Sequence, residues 1–158
     1  MVSARPAIEQ VWRWLEEVAD PEIPVISVVD LGIVREVGWS DDELVVTVTP
    51  TYSGCPATEV IARDIGDALL ARGVEKVRIE THLSPAWSTD WISERGAVRL
   101  REFGIAPPAH GLVQIENVAC PRCGSHHTEM ISRFGSTPCK SIYKCRACLE
   151  PFDAFKRH

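Results

Sequence analysis

Apolar residues Ile8, Val11, Trp12, Leu15 and Val18 recur at three- and four-residue intervals after Pro6, the spacing that lines one face of a helix. The pattern stops at "ADPEIP", where two prolines within four residues deny a helix its backbone N–H donors. A first amphipathic helix is therefore predicted over roughly residues 6–19. Period two then replaces period 3.6: "GIVREVGW" and "DELVVTVT" are β-prone runs joined by the polar turn "SDDE", an antiparallel hairpin by pattern. In its second strand Leu44, Val46 and Val48 point one way and Val45, Thr47 and Thr49 the other.

Pro56 suits a helix start, where its missing N–H costs nothing, and Ile61, Ile65, Ala68 and Leu69 form an apolar stripe ending at Gly73. A second helix is predicted over 56–72. The run "VEKVRIETHL" alternates with Val77, Ile79, Thr81 and Leu83 inward, a third strand. A helix between two strands implies a crossover that returns to the same sheet. A loop with two tryptophans and a short helix ending near Gly104 follow. The order α-β-β-α-β-α defines an α+β domain over 1–105. "APPAHG" opens a linker over 106–116, and 117–158 form a small β module.

Composition changes the picture in that last module. The chain has 158 residues, 45% of them hydrophobic, enough for a core. It contains no uncharged apolar run of membrane-spanning length and its first residues carry no apolar signal region, so a cytoplasmic protein is expected. Its net charge of −5 is unevenly spread. Residues 1–110 carry ten Lys and Arg against eighteen Asp and Glu, and 111–158 carry seven against four. A surplus of three cations is weak support for nucleic-acid binding, and the acidic remainder opposes it.

Five of the six cysteines fall after residue 119. "CPRC" (Cys120, Cys123) and "CRAC" (Cys145, Cys148) are two C-x-x-C knuckles 21 residues apart. Four thiolates from two tight turns suit one tetrahedral metal, the zinc-ribbon arrangement, in which the ion staples a module too small to hold itself together. Four thiolates also suit a single iron, and spacing alone leaves both open. With four ligands in hand, Cys139, His126 and His127 are expected to be exposed hairpin residues.

Cys55 stands apart, in "TPTYSGCP" between the hairpin and the second helix. At a helix mouth the unpaired N–H groups and the macrodipole favour an anion, which makes a thiolate there available as nucleophile or soft-metal ligand. Gly54 lets the backbone bend beside it. Upstream, "DPEIPVISVVDLGIV" sets Asp20, Glu22 and Asp30 in a loop before the first strand, residues that equally serve as turn formers.

Together, "DPEIPVISVVDLGIV" and "TYSGCPATEVI" resemble the SufT-like iron-sulfur assembly domain family, with its D-P-E-[IL], D-L-G and T-x-x-x-C-P motifs, over residues 8 to about 83. The segment "SPAWSTDWISERGAVRLREFGIAPP" and the ending "CRACLEPFDAFK" resemble the PaaD family of small proteins encoded with the bacterial phenylacetyl-CoA epoxidase. The resemblance implies an accessory role in aerobic phenylacetate catabolism. Iron-sulfur clusters would be assembled for, or delivered to, the oxygenase and reductase subunits as partners. By carry-over Cys55 contacts a cluster or iron, Asp20 and Thr51 shape its pocket, and Glu22 and Asp30 are structural. Trp87, Asp90 and Trp91 are left between docking and packing.

Paired Glu-x-x-His motifs for a di-iron oxygenase are absent from the sequence, as are the Gly-rich nucleotide loops, so no catalytic activity of its own is expected. A cluster takes four ligands, so Cys55 needs others, from a second copy at a homodimer interface or from a client. The alternatives are a structural or electron-transfer component of the oxygenase with an iron-loaded ribbon, and a zinc-ribbon nucleic-acid binder.

Overall fold

The computed structural model describes residues 4–108 and 118–156. It divides into two compact units, residues 1–87 and 88–158, each of which is described by itself.

In the first unit, α1 (Ile8–Leu15) is followed by β1 (Val34–Ser40), β2 (Glu43–Val48), α2 (Ala57–Leu70) and β3 (Val77–Thr81). α1 buries Val11 and Leu15 completely and ends sooner than its apolar spacing predicts. The reason is competition: Ala19 bridges Ser27, and the Val28 N–H donates to the Val18 carbonyl at 2.9 Å, so the returning loop claims the backbone that a longer helix would use. The Trp39 indole N–H donates to the Pro6 carbonyl at 3.3 Å and ties the entry of α1 to β1.

β1 and β2 form the expected antiparallel hairpin, turning through Asp41 at φ 51°. β2 then pairs in parallel with β3 across the α2 crossover, giving the sheet order β1-β2-β3. Leu44, Val46 and Val48 are the buried face of β2. Ala57, Ile61, Ile65 and Leu69, four residues apart, are the buried stripe of α2. Leu83, expected inward, is exposed instead, because β3 ends at Thr81 and the alternation no longer binds it to the sheet.

The second unit contains a 3-10 turn (Thr89–Trp91), α3 (Glu94–Glu102), β4 (Ile105–Ala106), β5 (Thr128–Ser132), β6 (Lys140–Cys145) and β7 (Pro151–Phe155). α3 starts at Ser93, whose side chain accepts from the Gly96 N–H at 2.9 Å, and ends just before Gly104 at φ 91°. The sheet order is β4-β7-β6-β5, with β4 parallel to β7 and the other pairs antiparallel. The division between units thus falls earlier than the boundary expected at 105, because α3 leads directly into a strand of the ribbon sheet. Ala106, expected to open the linker, lies in that strand, and 109–116 of the expected linker lie outside the described residues.

Two strands of this sheet escaped the sequence pattern. β4 is two residues long, and β7 begins with a proline three residues after Cys148. Their apolar positions nonetheless make the core: Ala106, Phe152 and Ala154 pack with Cys120 and Cys145, with Val118 and Tyr143 against them. Tyr143 and Phe152 stack with ring centroids 5.9 Å apart. No helix among the described residues is long and apolar enough to cross a membrane.

Candidate functional site

Two thiol arrangements are built on different elements. In the first unit, the Thr49 N–H donates to the Ile33 carbonyl at 2.8 Å and the His82 N–H to the Val48 carbonyl at 2.9 Å. The start of β1, the end of β2 and the end of β3 therefore share one end of the sheet, which brings the D-L-G turn (30–32) and the loop carrying Cys55 to the same end. Gly54, at φ 80°, makes the sharp bend that a side chain would resist. The Cys55 N–H donates to the Tyr52 carbonyl at 3.3 Å, and the Cys55 carbonyl accepts from the Thr58 N–H at 3.1 Å. Cys55 thus caps the first turn of α2 with its backbone, two residues before the helix proper, and its side chain is 9% exposed.

Each predicted companion of Cys55 has its own local setting. Asp20 is buried, and its Oδ1 accepts from the N–H groups of Glu22 at 2.9 Å and Ile23 at 2.8 Å, closing the turn around Pro21. Glu22 is half-buried. Asp30 is buried and its N–H donates to Ser27 Oγ at 3.0 Å. Thr51 is half-buried at the start of the Cys55 loop. Trp87, which the sequence left between docking and packing, is a packing residue: it is 4% exposed and its indole N–H donates to the Leu31 carbonyl at 3.0 Å, holding the D-L-G turn. Asp90 is exposed and Trp91 half-buried in the 3-10 turn. Sequence reasoning passed over His82, which follows β3 at the same sheet end with Nε2 3.4 Å from Glu80 Oε2. A strand end is the only sequence signal it carries.

In the second unit Cys120, Cys123, Cys145 and Cys148 converge, all four sulfurs within 4.8 Å of one another. Sγ of Cys120 is 3.7 Å from that of Cys148, and Sγ of Cys123 is 3.6 Å from that of Cys145. A tetrahedron with metal–sulfur bonds of about 2.3 Å has edges of about 3.8 Å, so the set fits one four-coordinate ion. A polynuclear iron-sulfur cluster needs its thiolates farther apart, because bridging sulfides lie between the irons. The residues therefore fit a mononuclear metal.

The two knuckles are built alike. The Cys120 N–H donates to the Ser125 carbonyl at 2.8 Å and the Cys145 N–H to the Glu150 carbonyl at 2.9 Å. Each second cysteine precedes a left-handed residue, Gly124 at φ 77° and Leu149 at φ 67°. The Arg146 N–H donates to the His127 carbonyl at 2.8 Å and links the second knuckle to the chain leaving the first.

Cys145 and Cys148 hold their protons unequally. The Cys148 N–H, pointing at Cys145 Sγ from 3.5 Å, lowers the Cys145 thiol to about 6. The Glu150 N–H acts on Cys148 in the same sense. It is outweighed by desolvation and by the three neighbouring thiols, which push Cys148 up to about 12. Crowded sulfurs resist accumulating negative charge, the charge a divalent cation supplies the counterpart for.

Cys139 is not the exposed hairpin residue expected. It is buried, with Thr137 Oγ1 2.9 Å from its sulfur and its carbonyl accepting from the Lys156 N–H at 2.9 Å, because β6 and β7 close over it. It is outside the four-thiol set. His126 and His127 are exposed.

An assembly-type α+β domain joined to a four-thiol β-ribbon defines the class. A model described as "Iron-sulfur cluster assembly protein" matches residues 8–80, and one described as "PaaD zinc beta ribbon domain" matches 106–156. The chain is 48% identical to an Escherichia coli protein named as a subunit of 1,2-phenylacetyl-CoA epoxidase, over 97% of this chain and 94% of that one. It belongs to the family of that protein.

Over 58% of its length the chain is also 38% identical to an Fe-S protein maturation auxiliary factor of Porphyromonas gingivalis, covering 89% of it. Two solved structures share the assembly-type fold. One is a domain of unknown function (DUF59) from Bacillus anthracis, with a TM-score of 0.54 at 28% identity over 58% of this chain and 89% of that one. The other is a conserved hypothetical protein of Thermotoga maritima, with a TM-score of 0.52 at 30% identity over 65% and 97%.

Proposed function

We propose that the chain is an accessory subunit of the phenylacetyl-CoA epoxidase system that assembles or delivers iron-sulfur clusters for its oxygenase or reductase components, with Cys55 handling the cargo. One observation supports this reading: Cys55 is not a member of the four-cysteine set and lies in the segment that the iron-sulfur assembly model matches. Four cysteines can hold one ion in the ribbon and Cys139 is buried beside Thr137 Oγ1 in the same unit, so Cys55 is the thiol assigned to the cargo. A cluster needs four ligands, so one held at Cys55 is completed by the client or by a second copy of the chain. That incompleteness favours transfer over storage.

For the ribbon the proposed ion is zinc, held by Cys120, Cys123, Cys145 and Cys148. Bound zinc supplies positive charge and cross-linking and no redox step. The chain's own part is to present two backbone-fixed knuckles and to give up the thiol protons. Metal content of anaerobically purified protein decides between zinc and the iron of an electron-transfer component.

Replacing Cys55→Ser tests the main reading. The expected result is a several-fold fall in cluster occupancy of the epoxidase reductase in cells growing on phenylacetate, with ribbon metal unchanged. Full occupancy and normal growth would remove Cys55 from the account.

A further inference from the structure

β5 closes one edge of the ribbon sheet, and three large apolar side chains lie exposed on it or just beyond: Met130 (50% exposed), Ile131 (57%) and Phe134 (68%). Single exposed apolar residues are ordinary, but three within five residues at a sheet edge form a patch. The register explains part of it. Met130 opposes Tyr143 and Ser132 opposes Ile142, so Ile131 is the extra residue of a bulge, thrust out of the ladder. Ser132 Oγ then donates to the Phe134 carbonyl at 2.9 Å and accepts its N–H at 3.2 Å, fixing the turn that presents the Phe134 ring.

Cations surround these side chains. Arg133 stands exposed between Ile131 and Phe134, Arg146 reaches across from the second knuckle to pair with Glu129, and the Lys156 ammonium lies 4.2 Å from the centroid of the Phe134 ring. Glu129 is the single carboxylate on β5. None of these side chains is a thiol of the four-cysteine set, and Arg146 takes part in the second knuckle through its backbone.

We propose that this edge is a docking surface for an acidic segment of a client protein that carries apolar residues, which seat against Ile131 and Phe134 while its carboxylates meet Arg133, Arg146 and Lys156. Charge favours this occupant, since Arg133, Arg146 and Lys156 outnumber Glu129 among the charged groups named here and a partner rich in carboxylates complements that surplus. The identity of the client rests on the accessory reading above.

The test uses the full chain and, as probes, the purified oxygenase and reductase components of the epoxidase, each presented separately in a binding titration at two salt concentrations. At least one component binds the unaltered chain, more weakly at the higher salt. The double variant Ile131→Glu with Phe134→Ser weakens it at least tenfold. Ile131→Lys weakens it less, because the added charge still suits an acidic partner. All variants keep their ribbon metal and melting temperature, since the replaced side chains are exposed. Three results overturn the proposal: no component binds, the double variant binds as well as the original, or light scattering shows the unaltered chain as a dimer that the double variant splits. Cluster occupancy in the client reads Cys55, whereas affinity reads this edge, so failure of either leaves the other measurable.

Discussion

The ribbon and the Cys55 loop both present cysteine thiols, and they differ in what holds the sulfur. In the ribbon the sulfurs are the core: Cys120 and Cys145 pack among Ala106, Phe152 and Ala154, and this small apolar set needs the metal to complete it. At the sheet end of the first unit, Cys55 is buried as a single thiol outside the four-cysteine set. Its backbone caps α2, while the side chains of Asp20 and Trp87 hold the neighbouring turns. A cysteine in the first setting is held by its three fellow sulfurs, and the one in the second has no other thiol in its set.

The largest effect that would break this contrast comes from the buried ribbon ligand. Cys145→Ser should abolish stoichiometric metal binding. Loss of a structural zinc withdraws on the order of 10 kcal/mol of folding free energy. Amide hydrogen exchange is expected to lose protection across 118–156 while residues of the first unit keep theirs. The matching Cys55→Ser protein should keep its metal, with a loss of stability of about 1–3 kcal/mol for burying a hydroxyl in place of the thiol. If Cys55→Ser also strips the ribbon metal, the two thiol sites are not independent.

Protons give the next largest effect. Cys148, held up at about 12, is still a thiol at neutral pH and its proton must leave when metal binds. Lowering pH therefore weakens binding, by about tenfold per unit for each proton displaced. Cys145, at about 6, is already a thiolate at neutral pH and adds a further proton only below that value. Competition against a chelator should show a pH slope that steepens as pH falls through about 6. A flat profile between pH 6 and 8 would mean that the metal takes fewer than four thiolates.

How much of this was legible beforehand follows the same division. The knuckles could be read from spacing because C-x-x-C is a local geometry, and α2 and β2 from apolar periods that their burial reproduces. Three features could not. The early end of α1 depends on a bridge from Ala19 to Ser27, a pairing made after the chain has turned back. β4 has two residues and no period to detect, yet it assigns α3 to the second unit. Asp20 carries the same letter whether or not it closes a turn, and only the two N–H groups on its Oδ1 show that it does.

Trp87→Phe probes the quieter side of the comparison. It keeps most of the apolar burial and removes the hydrogen bond to the Leu31 carbonyl, leaving a buried acceptor short of a donor. The expected cost is about 1–2 kcal/mol, read as a lower midpoint in urea unfolding of the first unit, with ribbon metal unchanged. No shift in midpoint would mean that the D-L-G turn is held by its own backbone bonds alone.

The smallest effect tests whether the two knuckles are as alike as their hydrogen bonds. Gly124 and Leu149 occupy equivalent left-handed positions, but only Gly124 does so without a Cβ. The left-handed conformation costs an ordinary residue about 1–2 kcal/mol, and Leu149, 66% exposed, recovers little of it by burial. Leu149→Gly should therefore stabilise the metal-loaded ribbon, by roughly 0.5 kcal/mol once the greater freedom of glycine in the unfolded chain is subtracted. Gly124→Ala should destabilise it by about 1 kcal/mol, for conformation alone, because a Cβ there meets nothing within 4 Å. Opposite signs in thermal melts would establish the strain at Leu149. If Leu149→Gly instead weakens the ribbon, the leucine side chain has a partner within the module that offsets its backbone strain.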